Sequence, residues 1–276
     1  MPAANRSQPA LEPGYIAGVL FSRAYEAGGL EDALAERTVF EGQSFRVCLG
    51  RLGAFPLIIC YPRIGALPFS NAAEALSHGY APRWMISAGF AGALDSELGV
   101  GEVVAVSSLC GAGVSLPEEV TRLEIPAELR EWFRESKLPS VRLACLSQPP
   151  VGLEEKRHVG ERTGAAIYDC TGPDLVQFCR SNLGSTLVVR VVSEAFDEVP
   201  SPEANWIESQ KSWAGRAGAI IGSILRKGGF KATWRLFERR LMASDQLARF
   251  IVKLINKLAD IGATGESALR QAENPT

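Results

Sequence analysis

The sequence predicts an α/β protein, a layered fold in which apolar strands form a sheet covered by helices on both faces. Two observations carry that prediction. Several strand-length runs are apolar almost throughout, Tyr15–Phe21 and Thr186–Ser193 (TLVVRVVS) above all. A strand exposed on one face would alternate instead. Segments of helical period lie between these runs, the arrangement that buries both faces of a sheet. A length of 276 residues suits one large domain, or a domain with an appendage.

In chain order, Tyr15–Phe21 is the first strand and Glu26–Glu36 a helix after it. Phe45–Leu49 and Leu57–Tyr61 read as strands, with Arg46–Gly53 and Phe55-Pro56 forming a hairpin. Asn71–Gly79 fits a helix closed by Gly79 and stopped by Pro82. Trp84-Met85-Ile86 begins a buried strand, and Gly89, Ala91, Gly92 and Ala93 read as a loop small enough for its backbone to touch a ligand. Val103–Val106 is the next strand. Pro126–Lys137 is a helix with proline in its first turn, and Val141–Ser147 another strand. Polar Glu154–Arg162 precedes Ala165–Tyr168, and Pro173–Asn182 reads as a helix before the Thr186 strand. Pro200-Ser201-Pro202 marks the end of the core, and Trp206–Leu258 is helical in pattern, interrupted at Gly228-Gly229. This divides the chain into a disordered lead (1–14), an α/β domain (15–200) and a helical extension packed on it (201–276).

Composition narrows the chemistry. The six cysteines include no CxxC pair and mostly sit in apolar runs, which reads as reduced buried thiols in a cytoplasmic protein. Two histidines, His78 and His158, give no metal-ligand spacing, so no metal and no other cofactor is expected. No apolar run approaches the roughly 18 residues of a membrane span, and the N-terminus lacks a signal pattern. The net charge of −2 is uneven: Lys211–Asp260 carries eleven Lys/Arg against three Asp/Glu, leaving −10 elsewhere.

Four pieces then occur in order: Gly18-Val19-Leu20 with Glu26, Arg63-Ile64-Gly65, Ser87–Leu94 with Val100–Val104, and Tyr168–Thr171 with Val188–Glu194 and Asp197. Together they resemble the purine nucleoside phosphorylase/uridine phosphorylase superfamily, nearest the methylthioadenosine/S-adenosylhomocysteine nucleosidases. The resemblance covers Tyr15 to Asp197. It implies a three-layer αβα fold with a mixed central sheet, a homo-oligomer, and cleavage of the N-glycosidic bond of a purine-type nucleoside.

Such a reaction must protonate the leaving base and shelter an oxocarbenium ion. By the resemblance, Glu26 activates the attacking water and Glu194 donates the proton to the base. Each also has a plainer reading, Glu26 as a helix N-terminal acid and Glu194 as a strand-end acid beside Asp197. Ala88, Gly89 and Phe90 would form a backbone floor, with Ser147, Gln148 and Asp197 further substrate contacts. Cys170 and Thr171 would face the ribose, standing where the family has methionine and glutamate. Thr171 lacks a glutamate's charge, and Glu194 is one methylene longer than the family's aspartate. A nucleoside-binding protein with impaired catalysis is therefore the competing reading.

Arg63 and Arg23 are candidate phosphate ligands for a phosphorylase, or else surface arginines. Arg190, inside an apolar strand, calls for a buried acidic partner such as Asp169 or Asp197. The basic extension is somewhat similar to the tail of hopanoid-associated phosphorylases. It reads as a helix packed on the core, or as a peripheral membrane contact for a lipid-linked nucleoside. No nucleic-acid recognition motif interrupts its core-type spacing.

Overall fold

The computed structural model describes residues 15–63, 69–112, 120–182, 184–198 and 229–273. Among these residues, ten strands form one mixed sheet: β1 (Ala17–Phe21), β2 (Ala35–Glu41), β3 (Phe45–Leu52), β4 (Phe55–Pro62), β5 (Trp84–Ala93), β6 (Val103–Ala112), β7 (Val120–Arg122), β8 (Ser140–Leu146), β9 (Ile167–Asp169) and β10 (Thr186–Glu194). Parallel pairs β4–β1, β1–β5 and β5–β10 make the centre. Because β10 also pairs with β6, strands β5, β9, β8, β6 and β10 close into a ring. The β3–β4 hairpin is antiparallel, and β2 adds to its edge.

Among the described residues, seven helical segments surround the sheet: α1 (Ala24–Asp32), α2 (Phe69–Glu74) running into a π-helical turn (Ala75–Tyr80), α3 (Ala127–Glu135), α4 (Leu153–Thr163), α5 (Pro173–Ser181) and α6 (Gly229–Glu273). Helices α1, α3 and α6 cover one face of the central strands, around Val19, Ile86, Ala88 and Val189. Helices α2 and α5 cover the other, around Leu20, Met85, Ala91 and Val188. Both faces of the central strands are thus dry, which is why their sequences are apolar without alternation. Within α6, Leu247, Ile251, Leu254, Ile255 and Leu258 recur at helical spacing and are fully buried. Each contributes about 1.5–3 kcal/mol of burial, so α6 is anchored on the core. Arg249 and Lys253 lie on its exposed side. The part of the extension at 201–228, Gly228 of the interruption included, lies outside the described residues, as do the 1–14 lead and Ile64-Gly65.

Three elements depart from expectation. Helix α1 stops at Asp32, and Ala35–Glu41 is a strand, entered through Glu36 with φ of 53°. Its side chains are all exposed, so no apolar alternation marks it. Residues Gly89–Ala93 are not a loop. They continue β5, and their small size lets neighbours rest directly on the strand: a side chain at Gly89 would meet the Glu26 carboxylate, and one at Gly92 would collide with the Tyr168 ring. Polar 154–162, left unassigned by its periodicity, belongs to helix α4.

Candidate active site

The C-terminal ends of β1, β5 and β10 lie side by side, with Phe21 level with Ala88 and Glu194 level with Gly92. In a parallel sheet this edge is where ligands are met. Glu26 arrives there from the first turn of α1. Its Oε2 accepts the backbone N–H groups of Ser22 (3.1 Å) and Arg23 (3.0 Å), and its Oε1 accepts that of Phe90 (3.2 Å). A glutamate at the third helical position reaching back to the N-cap N–H is ordinary helix capping, but the Phe90 contact ties this one to β5. Burial pushes the carboxyl up to about 7, against the opposing pull of Arg23, the Phe90 N–H and Arg190.

A buried network runs alongside. Arg190 donates from Nε (2.9 Å) and Nη2 (2.7 Å) to Asp169 Oδ2, and from Nη1 to the Ser87 carbonyl (3.0 Å). The buried partner expected for Arg190 is therefore Asp169. The same Oδ2 accepts the Thr171 hydroxyl (3.1 Å), and Thr171 Oγ1 lies 3.0 Å from Ser22 Oγ. With its single proton given to the carboxylate, Thr171 receives that of Ser22. The chain ends beside Glu26, leaving Ser22 Oγ with acceptor capacity.

Glu194 occupies a different setting. Its Oε1 accepts from Lys156 Nζ (2.6 Å), whose side chain is fully buried in α4, and from the Tyr168 hydroxyl (2.9 Å). Lys156 also donates to the carbonyls of Ala195 (2.7 Å) and Glu198 (2.6 Å). Glu26 rests on Gly89 and Tyr168 on Gly92, three residues along β5, or about 10 Å.

The profile of the phosphorylase superfamily matches residues 16–226, most of the chain. The chain belongs to the phosphorylase superfamily. Its fold is similar to 5′-methylthioadenosine/S-adenosyl homocysteine nucleosidase of Campylobacter jejuni, with TM-score 0.65 and 15% identity over 88% of this chain and 99% of that one. Futalosine hydrolase of Helicobacter pylori aligns with TM-score 0.62 and 15% identity, over 88% and 97%. The Colwellia psychrerythraea nucleosidase, solved with adenine, aligns with TM-score 0.65 and 14% identity over 90% and 98%. Comparison with curated protein sequences gives no match.

Within this superfamily fold, Gly89 and Phe90 lie against the Glu26 carboxylate, with the Phe90 N–H already given to it, and Ala88 is buried just before them in β5. Arg23 lies next to Glu26 and donates to the Tyr25 hydroxyl (3.0 Å). Arg63 is turned elsewhere: its guanidinium donates to the Gly42 carbonyl (3.0 Å) and pairs with Glu41 at the β2–β3 turn. Ser147 and Gln148 are exposed just past β8, Cys170 is exposed beside Thr171, and Asp197 is exposed in the turn after β10. No group of three metal-type side chains forms among the described residues, and no helix there is long and apolar enough to cross a membrane.

Four participants are not among the site residues named from the sequence: Ser22 directly follows the first strand, Tyr168 enters only as part of the Tyr168–Thr171 piece, and Lys156 falls in the polar stretch 154–162. Ser244 of α6 is the fourth: its hydroxyl accepts the Gly29 N–H (3.2 Å) and donates to the Glu26 carbonyl (3.4 Å). Two neighbours on the same helix also reach the site region, Arg239 pairing with Glu198 and Arg240 lying 4.7 Å over the Tyr25 ring.

Proposed function

We propose that this superfamily member cleaves the N-glycosidic bond of a purine-type nucleoside, with Glu26 as the acid/base group on the sugar side. The observation that carries this reading is the Glu26 carboxyl itself. It is buried at the strand ends, aimed by three backbone N–H groups, and poised near neutrality at about 7. A group with that balance both takes and returns a proton at working pH. In the reaction the bond from the anomeric carbon to the base nitrogen breaks, and its electron pair leaves with the base. Water adds to the carbon and gives up a proton, which ionised Glu26 accepts. Glu194, at the other end of the Gly89–Gly92 stretch, is the carboxyl that serves the leaving base. The Ser22 and Thr171 hydroxyls face the sugar, with Cys170 beside them, and Ser147, Gln148 and Asp197 stand at the rim. If phosphate replaces water, Arg23 is the cation beside Glu26. The names of the similar structures, nucleosidases and a futalosine hydrolase, support this reading.

Base release from a panel of purine and pyrimidine nucleosides, with and without phosphate, tests it. Phosphate dependence distinguishes phosphorolysis from hydrolysis. Nucleoside binding without release by any member would overturn the enzyme reading in favour of a binding protein.

A second reading, a lipid-linked nucleoside taken at a membrane surface, draws on Trp234, Phe237, Leu241 and Met242, four exposed apolar side chains near the start of the described part of α6. Co-sedimentation with anionic vesicles, lost on Trp234→Ser and Phe237→Ser, would favour it. No co-sedimentation by the intact chain would discard it.

A further inference from the structure

Lys156 has no role in the chemistry just described, yet it is one of the largest fully buried side chains in the protein. An ammonium is costly to bury unless each of its three N–H groups finds an acceptor. All three do: the Ala195 carbonyl at 2.7 Å, the Glu198 carbonyl at 2.6 Å, and Glu194 Oε1 at 2.6 Å. Tyr168 adds a second donor to the same Oε1 at 2.9 Å, from a ring that can lie flat on β5 only because residue 92 is glycine. The turn beyond Glu194 is held from another side as well, since Glu198 accepts the Ala195 N–H (3.3 Å) and pairs with Arg239. Oε1 of Glu194 is thus engaged twice, while no described residue takes Oε2. The Glu194 side chain is 20% exposed and that of Lys156 is 0% exposed, so the carboxyl is gripped from the protein side and open on the other.

We propose that Lys156, with Tyr168, is a positioning residue for the leaving-group half of the site: the two hold Glu194 by Oε1 so that Oε2 meets the departing base. This rests on the N-glycosidic reading above. It has a selective consequence. A base that departs as a strongly basic nitrogen anion depends on Glu194, whereas an activated leaving group that needs no protonation does not. Displacing Glu194 therefore harms the first kind of substrate and spares the second. General loosening of the fold harms both alike.

The experiment compares wild type, Tyr168→Phe and Lys156→Met on two substrate kinds. One is the purine nucleoside that wild type cleaves best. The other is an activated substrate, 7-methylguanosine or 4-nitrophenyl β-D-ribofuranoside. Expected on the ordinary nucleoside are losses in kcat/KM of about tenfold for Tyr168→Phe and about a hundredfold for Lys156→Met. On the activated substrate both variants should stay within about threefold of wild type. Equal losses on both substrates would reduce the cluster to a structural role and overturn the proposal. Tyr168→Phe keeps the ring over Gly92, so the comparison stands on it even if Lys156→Met fails to fold. Wild type that cleaves neither substrate kind overturns the functional reading, and this inference falls with it. Cleavage by wild type with matched losses in the variants sinks the role of Lys156 alone.

Discussion

Glu26 and Glu194 are the same residue type at one edge of the sheet, Glu26 in the first turn of α1 and Glu194 at the end of β10, and their surroundings have little in common. Glu26 is held by three backbone N–H groups in a buried site and is pushed up to about 7 by that burial. Glu194 is held by the side chains of Lys156 and Tyr168 and keeps one face toward solvent. Backbone donors fix a carboxyl's direction without supplying a full countercharge. The Lys156 ammonium and the Tyr168 hydroxyl instead fix position through a single carboxyl oxygen. The contrast teaches that two carboxylates on one sheet edge can be made unlike by what grips them, the means by which enzymes run acid and base chemistry side by side.

The sharpest way to break the comparison is Glu26→Gln, which should lower base release about a thousandfold with nucleoside affinity little changed. In wild type, kcat/KM should rise with pH through about 7 as Glu26 ionises. Stability carries the opposite sign. The folded-state value lies above the ordinary 4.5, so the folded protein favours the protonated carboxyl; the resulting stabilisation is complete below 4.5 and is lost as pH rises through about 7. Denaturant titrations of wild type and Glu26→Gln should therefore diverge by up to roughly 3 kcal/mol between acid and alkaline pH, in favour of the variant at high pH. A pH-independent difference would show that Glu26 is not the buried titrating group.

Asp169→Asn comes next. It leaves the Arg190 guanidinium buried without its countercharge, and unfolding free energy should drop by about 3 kcal/mol. Its effect should fall on the Glu26 side, because the network it breaks passes through Thr171 and Ser22. Glu194→Gln should cost about a hundredfold on ordinary nucleosides and little on activated ones, unlike Glu26→Gln, which should harm both. If the two glutamine variants have the same substrate profile, the division of labour is wrong. The smallest effect is expected from Thr171→Val. Losing one neutral hydrogen-bonding hydroxyl should raise KM about tenfold while kcat holds. A loss confined to kcat would place Thr171 in the chemistry.

Much of the fold was legible in the sequence because the central strands are buried on both faces, and unbroken apolar runs such as Thr186–Ser193 record that directly. The β3–β4 hairpin and helices α3 and α5 carried equally local signals. Strand β2 was not legible, since every side chain on it meets water and its identity comes from pairing with β3. Gly89–Ala93 misled because small residues suit both a ligand loop and a strand on which other side chains rest. Of the candidate site, Glu26 and Glu194 could be named from motif position, and an acidic partner for Arg190 from the cost of burying a guanidinium. Lys156 could not. Its sequence neighbours Glu154, Glu155 and Arg157 are charged, and only the tertiary fold shows that Lys156 points inward from α4 together with Val159 and Thr163. Arg63, a candidate phosphate ligand or else a surface arginine by sequence, directs its guanidinium to the Gly42 carbonyl and Glu41.

Helix α6 touches both halves of this edge. Arg239 pairs with Glu198, in the turn that follows Glu194, and Ser244 bridges the Glu26 carbonyl and the Gly29 N–H. Five residues separate the two contacts, about 7.5 Å along a rigid helix axis. Gly89 and Gly92 of β5, against Glu26 and Tyr168, stand about 10 Å apart along the strand. The backbone of Glu26 and the turn after Glu194 are thus both tied to one helix, and the Glu26 carboxylate and the Tyr168 ring that holds Glu194 both rest on one strand. Both ties run through regular secondary structure, whose repeat lengths do not stretch.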